Sequence, residues 1–283
     1  MSDGGIGRRI QETFYRIAAS GLVPRAWVAG PQPDLPAAAP PVEPPGRPLR
    51  LEIVSHCWQY HHLLHYQLSS LALHPPESTR VTMTVCYSPE DSRTVDVLGF
   101  FGGRKVPGVE WNWQPLDKER LFRRAIGRNL AARSTRADWI WFSDCDAIFH
   151  RWALDGAATV LRGRNDVLVF PREHRVTELL GANHPLLQDP TDTGQLELAD
   201  IDPARFQPET REKAVGGFQI VRGDVARKVG YCRAIPFYQR PVPRWQKTYE
   251  DRTFRWLLGT HGTPVEIPGL YRIRHVEKGR KAG

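Results

Sequence analysis

The stretch "WIWFSDCDAIFH", Trp139 to His150, decides how the chain is read. A near-continuous apolar run ends on two aspartates with one residue between them, Asp144 and Asp146, and apolar sequence then resumes. The apolar part reads as a strand buried on both faces. The C-terminal end of such a strand, in an α/β sheet, opens into the crevice where ligands bind. In a strand-like backbone residues i and i+2 point to one side, so the two carboxylates repel, and burial raises that cost. A hard divalent cation, Mg2+ or Mn2+, removes the conflict; such ions take one or two carboxylates plus substrate phosphates. The pattern therefore predicts a metal bridging the protein to a diphosphate. The plainer alternative is a surface turn or helix N-cap, where Asp is also common.

The flanking sequence builds a sheet around this strand. "LEIVSHC" from Leu51, "RVTMTVCYS", "VEWNWQPL", "NDVLVFPRE" and "VGGFQIVRG" read as strands. "YHHLLHYQLSSLALH" has helical spacing. "DKERLFRRAIGRNLAARSTR" reads as one long helix with an apolar face at Leu121, Ala125, Leu130 and Ala132, and "YEDRTFRWLLGTHG" as a helix ended by Gly262. Alternation of strands and helices predicts an α/β fold with a mixed, mostly parallel central sheet. The polar stretch from about Asn183 to Arg211 reads as an irregular loop with short helices, a flap over the site. His61, His62 and His65 lack a nearby third ligand and read as a helix surface.

Ahead of this domain, assigned to residues 50–283, lie two further segments. Residues 1–30 carry an amphipathic helix with Ile6, Ile10, Phe14, Ile17 and Ala18 on one face and Arg8, Arg9, Glu12 and Arg16 elsewhere. That face either packs on the main domain or lies on an anionic membrane. Residues 31–49 hold eight prolines and read as an extended linker or strap.

Composition narrows the function classes. The 283 residues are 41% hydrophobic and 25% charged, as globular chains are. No apolar run approaches the roughly 18 residues that span a bilayer, and the N-terminus lacks a secretory pattern, so a cytoplasmic protein, peripheral to membrane at most, is expected. Cys57, Cys86, Cys145 and Cys232 are scattered singly, which suits reduced buried thiols and no zinc site of the CxxC kind. The net charge of +8 suits phosphates or an anionic surface. Basic residues are dispersed and no nucleic-acid-binding signature is visible, so no nucleic-acid partner is expected.

Five stretches, the first two overlapping, resemble the GT-A fold nucleotide-sugar glycosyltransferases, a Rossmann-like architecture, and in particular their family 2-like and β-1,4-galactosyltransferase-like groups. "FSDCDAIF" resembles their D-x-D motif, in which a metal holds the donor diphosphate. "GRNLAARSTRADWIWFSDCD" is similar to the stretch whose Arg and Asn line the donor pocket, which implies that role for Arg128 and Asn129, with Arg124 one turn earlier. "VGGFQIVRGDVARKVG" resembles the glycine-led strand and helix beside the donor and acceptor, implicating Gly217. "YEDRTFRWLL" resembles the Glu-Asp motif of inverting members, and "YRIRHVEKG" the segment whose histidine binds metal, here His275. Where the galactosyltransferases carry a methionine ligand three residues earlier, this chain has Arg272. The resemblance spans roughly Leu51 to Gly279.

The expected roles follow. Asp146 and His275 are the metal ligands. Asp144 touches the ribose or a metal-bound water, with Cys145 between them turned to the core. Ser55, His56 and Cys57 end the first strand and meet the nucleobase or ribose; Tyr87 and Glu90 follow the second strand on the same logic. Arg274 and Lys278 supply positive charge to the leaving diphosphate. Asp251 is the general base toward the acceptor hydroxyl, with Glu250 serving instead or orienting the acceptor; acidic residues are also common in a helix first turn. Trp245 is an aromatic platform for the acceptor. The expected reaction moves a sugar from a nucleoside-diphosphate sugar, UDP-linked before GDP-linked, to a saccharide, lipid-linked or small-molecule acceptor. A nucleotidyl- or phosphotransferase would need a phosphate-binding glycine loop after the first strand, and "SHCWQY" has none. A non-enzymatic basic module binding nucleic acid or membrane would not need the aspartates.

Overall fold

The computed structural model describes residues 3–30, 35, 47–191, 195–245 and 248–276. In chain order the elements are α1 (Asp3–Ile17), α2 (Arg25–Ala29), β1 (Leu49–Cys57), α3 (His61–Leu73), β2 (Thr79–Tyr87), α4 (Ser92–Gly102), β3 (Val109–Pro115), α5 (Lys118–Leu121) and α6 (Arg124–Ser134). Then follow β4 (Trp139–Phe142), β5 (Ala147–Phe149), α7 (Ala153–Leu161), β6 (Leu168–Pro171), β7 (Glu173–Val176), β8 (Gln207–Thr210), β9 (Gln219–Arg222), α8 (Gly223–Val229), α9 (Glu250–Leu258), β10 (Thr263–Val265) and β11 (Leu270–Arg272).

A seven-stranded sheet runs β10-β6-β9-β4-β1-β2-β3. β9 is antiparallel to both β4 and β6, while the other pairings are parallel. This is the mixed, mostly parallel sheet that the alternating pattern predicts. All four residues of β4 are buried, because β1 and β9 flank the strand and separate apolar clusters cover its two faces. Trp139 and Trp141 face one cluster, Ile140 and Phe142 the other. Burying each such side chain contributes about 1.5–3 kcal/mol. A second, four-stranded sheet, β5-β11-β7-β8, was not anticipated from sequence. It joins the segment just after Asp146 to the C-terminal strand, Leu270 pairing with Phe149 and Arg272 with Ala147.

Three local expectations are corrected. The long helix is broken at Phe122–Arg123 into α5 and α6. Arg123 is 2% exposed and leaves the helix path (φ −100°, ψ 84°). Its guanidinium packs over Phe237 at 4.8 Å and lies 3.8 Å from Glu250. α9 ends at Gly259, not Gly262: Gly259 takes the left-handed conformation at φ 69°, while Arg25 Nη1 donates to the Leu257 carbonyl at 3.0 Å and helps cap the helix end. His61, His62 and His65 are buried, not surface residues. Part of the Asn183–Arg211 stretch lies over α3, where His61 Nε2 meets Asp189 at 2.8 Å and Ser69 Oγ accepts from Ala199 N at 3.0 Å.

The amphipathic helix also differs from the simpler expectation. α1 docks through Glu12, Tyr15 and Ala18: Tyr15 stacks on Phe237 at 5.5 Å, and Glu12 Oε1 accepts from Tyr249 N at 3.0 Å. Ile10, Phe14 and Ile17 of the predicted apolar face point outward, at 64%, 47% and 47% exposure. The proline-rich linker lies almost wholly outside the described residues.

Candidate active site

β4 delivers Asp144 to the C-terminal edge of the sheet, but the aspartates do not continue the strand. The chain turns at once, Ala147 N donating to the Asp144 carbonyl at 3.2 Å. The alternation argument for two carboxylates facing one way therefore gives way to a turn in which each has its own partner. Gln67 of α3 fixes that turn, its Nε2 donating to the carbonyls of Asp144 and Ala147, both at 3.0 Å.

Asp144 Oδ1 accepts from Arg124 Nη1 at 2.9 Å and from Arg128 Nη2 at 3.3 Å. Burial pushes the Asp144 carboxyl up, but Arg124, Arg128 and Arg272 together outweigh it and hold its pKa below the usual carboxylate value. Asp146 is 7% exposed; its Oδ2 accepts from Arg272 Nε at 3.0 Å. The Asp146 attraction, first among several, raises the Arg272 pKa. Asp146 Oδ1 is buried with no hydrogen-bond partner.

The glycine pair Gly216–Gly217 passes over these carboxylates. A Cβ on Gly217 would sit 3.2 Å from Asp144 Oδ2, and one on Gly216 would sit 3.8 Å from the Asp251 Cβ. A side chain at Gly217 would crowd Asp144, whereas one at Gly216 would make ordinary contact with Asp251. A hydrogen-bonded relay supports this edge: Arg128 donates to Tyr231 Oη at 3.0 Å, Tyr231 to Gln219 Oε1 at 2.9 Å, and Gln219 Nε2 to the Asp251 carbonyl at 3.0 Å. Asp251 is partly exposed in the first turn of α9. Glu250 is buried at 2% exposure, its two carboxylate oxygens without hydrogen-bond partners and Arg123 at 3.8 Å.

Several predicted contacts are spoken for inside the fold. Ser55 Oγ donates to Gln67 Oε1 at 2.7 Å and is fully buried. Cys57 Sγ lies 3.2 Å from Thr94 Oγ1. Cys145 is buried against Cys57, turned to the core. All four cysteines are free and buried. Asn129 Oδ1 accepts from Tyr231 N at 3.1 Å, so it props the loop after α8 instead of joining Arg128 at the pocket.

Other predicted residues do reach the edge. His56 has both ring nitrogens buried and unbonded. Burial, then Arg128 and Arg124, lower its pKa well below normal, and Asp144 opposes them only in part. A Cβ at Gly127 of α6 would run into His56 Nε2 and Cys86 Sγ, which is why the helix carries glycine there. Tyr87 pairs in register with Cys57 at the same edge, and Glu90 is exposed in the loop beyond.

His275 is 5% exposed, pairs with Leu180 in an isolated bridge, and meets the Tyr60 ring edge-on at 5.3 Å. Asp144, Asp146 and His275 do not converge: among the described residues, the one trio of His, Cys, Asp or Glu with ligand atoms within 4.8 Å of one another is elsewhere. Arg274 is exposed and Lys278 lies outside the described residues. Trp245 is partly buried in the segment leading to α9.

Sequence reading missed Gln67, Arg123, Tyr231, Gln219 and Arg211. Arg211, half-buried, donates to Glu209 Oε2 at 3.1 Å and feels the charges of Arg272 and Asp146. These residues reach the site only through tertiary packing, and no local motif marks them.

No family model matches the chain, and no curated protein matches it. Among solved structures it is similar to residues 1-349 of S. aureus TarS in complex with UDP-GlcNAc, at 12% identity and a TM-score of 0.48, over 83% of this chain and 61% of that one. The same protein in complex with UDP matches at 14% identity and a TM-score of 0.47, over 83% and 59%. The mannosyltransferase PcManGT from Pyrobaculum calidifontis, in complex with GDP-Man and Mn2+, matches at 15% identity and a TM-score of 0.46, over 98% and 70%. The chain spans about 60% of the TarS 1-349 structures it matches and 35% of another TarS structure. Likenesses this distant transfer no activity, and the functional reading rests on the residues of the site.

Proposed function

We propose that this protein is a metal-dependent glycosyltransferase of the GT-A type, moving a sugar from a nucleoside-diphosphate sugar, UDP-linked before GDP-linked, to an acceptor hydroxyl with inversion. The observation that carries this reading is the juxtaposition across Gly216–Gly217 of the arginine-held Asp144 and the partly exposed Asp251. One side is rich in cationic donors for a diphosphate; the other offers a carboxylate for an incoming hydroxyl.

The residues divide the work. Arg124, Arg128 and Arg272 make the edge electropositive and favour the negative charge that grows on the departing diphosphate. Asp144, fixed by two of them, is placed to accept from a ribose hydroxyl. His56 stays neutral at pH 7 and so does not repel these arginines. The acceptor oxygen forms its bond to the anomeric carbon while the carbon–oxygen bond to phosphate breaks. The proton passes to Asp251, and the diphosphate leaves with the electron pair. The unpaired, buried Asp146 Oδ1 fits a hard cation. Asp146 would hold Mn2+ or Mg2+, which when bound neutralises the diphosphate, while Asp144 and His275 do not converge with it. Trp245 precedes the base in the chain and would line the acceptor side, toward a saccharide, lipid-linked or small-molecule acceptor.

The test is a panel of UDP- and GDP-sugars with Mn2+, read as slow donor hydrolysis without acceptor. One donor turned over by the wild type and not by Asp146→Ala supports the proposal. Turnover that survives both Asp146→Ala and chelation rules it out, and no turnover with any donor favours a binding module.

We also infer peripheral contact with an anionic membrane through α1 and α2. Ile10, Phe14, Ile17, Leu22 and Trp27 form an outward apolar series, Leu22 and Trp27 being 79% and 82% exposed. Arg16 and Arg25 are exposed on the same segment, and the chain carries a net charge of +8. That pairing of apolar and basic groups suits an anionic lipid surface.

A further inference from the structure

We propose that His74, His150 and Asp200 form a zinc site that pins the long connection between β7 and β8 to the body of the domain. The three residues come from distant parts of the chain: the C-cap of α3, the end of β5, and the loop ahead of β8. Their ligand atoms all lie within 4.8 Å of one another. Asp200 Oδ2 is 3.6 Å from His74 Nε2, and Asp200 Oδ1 is 3.5 Å from His150 Nε2.

These separations are long for hydrogen bonds, and His74 Nε2 is buried with no hydrogen-bond partner. A buried imidazole nitrogen aimed at a carboxylate and a second imidazole, yet bonded to neither, is the arrangement an intervening ion would satisfy. Asp200 reaches each histidine through a different carboxylate oxygen, and four-coordinate zinc would take one of these oxygens with the two imidazoles.

Two imidazoles and one carboxylate suit zinc, and not Mg2+ or Ca2+, which prefer oxygen alone. The ring centroids of His74 and His150 are 4.0 Å apart, so two imidazolium charges would repel. His74 also lines an open cavity of about 520 Å³ with Pro76, Arg80, Arg151 and Trp152. Arg80 and Arg151 work against a cation, while the Asp200 carboxylate works for it.

The consequence would be mechanical. The connection that starts by the Leu180–His275 bridge meets α3 through Asp189 and Ala199. Zinc on Asp200 would fasten its far end, with no part in the transfer chemistry. The site stands independently of the proposed glycosyl transfer.

The experiment takes the full chain, stripped with chelator, and adds ZnCl2 or CoCl2 alone. The expected result is one zinc per chain, intense visible absorption of four-coordinate cobalt(II), and a Tm rise of about 5 °C or more at saturating zinc. His150→Gln and Asp200→Asn should each lower zinc affinity by at least 10-fold, while Asp146→Asn leaves it unchanged. A wild-type chain showing no cobalt band or only the weak six-coordinate band overturns the proposal, whatever the variants do. Zinc binding that persists in His150→Gln/Asp200→Asn, or that disappears in Asp146→Asn, also overturns it.

Discussion

Arg272 Nε donates to Asp146 Oδ2 at 3.0 Å, from a strand more than a hundred residues further along the chain. The pair fixes one carboxylate oxygen and leaves Oδ1 buried and unpaired. Asp146 can therefore offer a cation one oxygen while the other stays on arginine. Arg272→Gln removes that restraint. We expect Mn2+ to activate donor hydrolysis at several-fold lower concentration and maximal turnover to fall about 10-fold, because a diphosphate loses one cationic neighbour. Metal titration of the hydrolysis rate checks both changes.

Asp251 and Glu250 should separate by assay. Asp251→Asn is expected to lower transfer by 10²-fold or more while Tm and UDP binding hold. Glu250 is buried beside Arg123. Glu250→Gln leaves that guanidinium with Glu12 alone, 4.0 Å away, as counter-charge and should destabilise the chain by about 1–3 kcal/mol. Chemical denaturation alongside transfer kinetics distinguishes the two. Equal losses of activity at unchanged stability would overturn the division of roles.

Gly127→Ala puts a methyl group into His56 and Cys86. Overpacking of this kind costs about 1–3 kcal/mol. The His56 ring must shift, and donor KM should rise more than kcat falls. A thermal melt and a donor titration read these outcomes.

Acid should lower the stability of the protein over two overlapping pH ranges. Burial, then Arg211 and Arg272, push the His174 pKa down to about 3. Its folded value lies below its unfolded value near 6.5, so the unfolded state binds the proton first. Stability from this group is complete above about pH 6.5 and is lost as pH falls toward 3. The lowered Asp144 pKa acts the same way from about pH 4 downward. His174→Leu should flatten the Tm–pH curve between pH 6 and 4, and Asp144→Asn only its lowest part.

The outward face of α1 and α2 predicts sedimentation with vesicles containing phosphatidylserine, weakened by salt and not seen with neutral vesicles. Phe14→Ser with Trp27→Ser should reduce the bound fraction several-fold and leave the fold intact, since both side chains are exposed. Concentration-dependent dimerisation lost in the same variant would point to a second copy as the occupant.

The sequence by itself determined the class of sheet and the place of the carboxylates. Five strands and most helices are legible because their apolar periodicity is local, and β4 announces itself as a buried run ending on Asp144. Arg124 and Arg128, a turn apart on α6, were named by the family resemblance of their segment. Tertiary structure alone decided the partners. Asn129 carries the right side chain beside Arg128, yet helix geometry turns it to the Tyr231 backbone. Ser55 ends its strand as expected, but Gln67 takes its hydroxyl. The break at Arg123 follows from Phe237, Tyr238, Glu12 and Glu250, none of them near in sequence. Periodicity reports which face of an element is buried. Which groups meet there depends on how distant segments cross, and that set Arg272 on Asp146 and brought His74, His150 and Asp200 together.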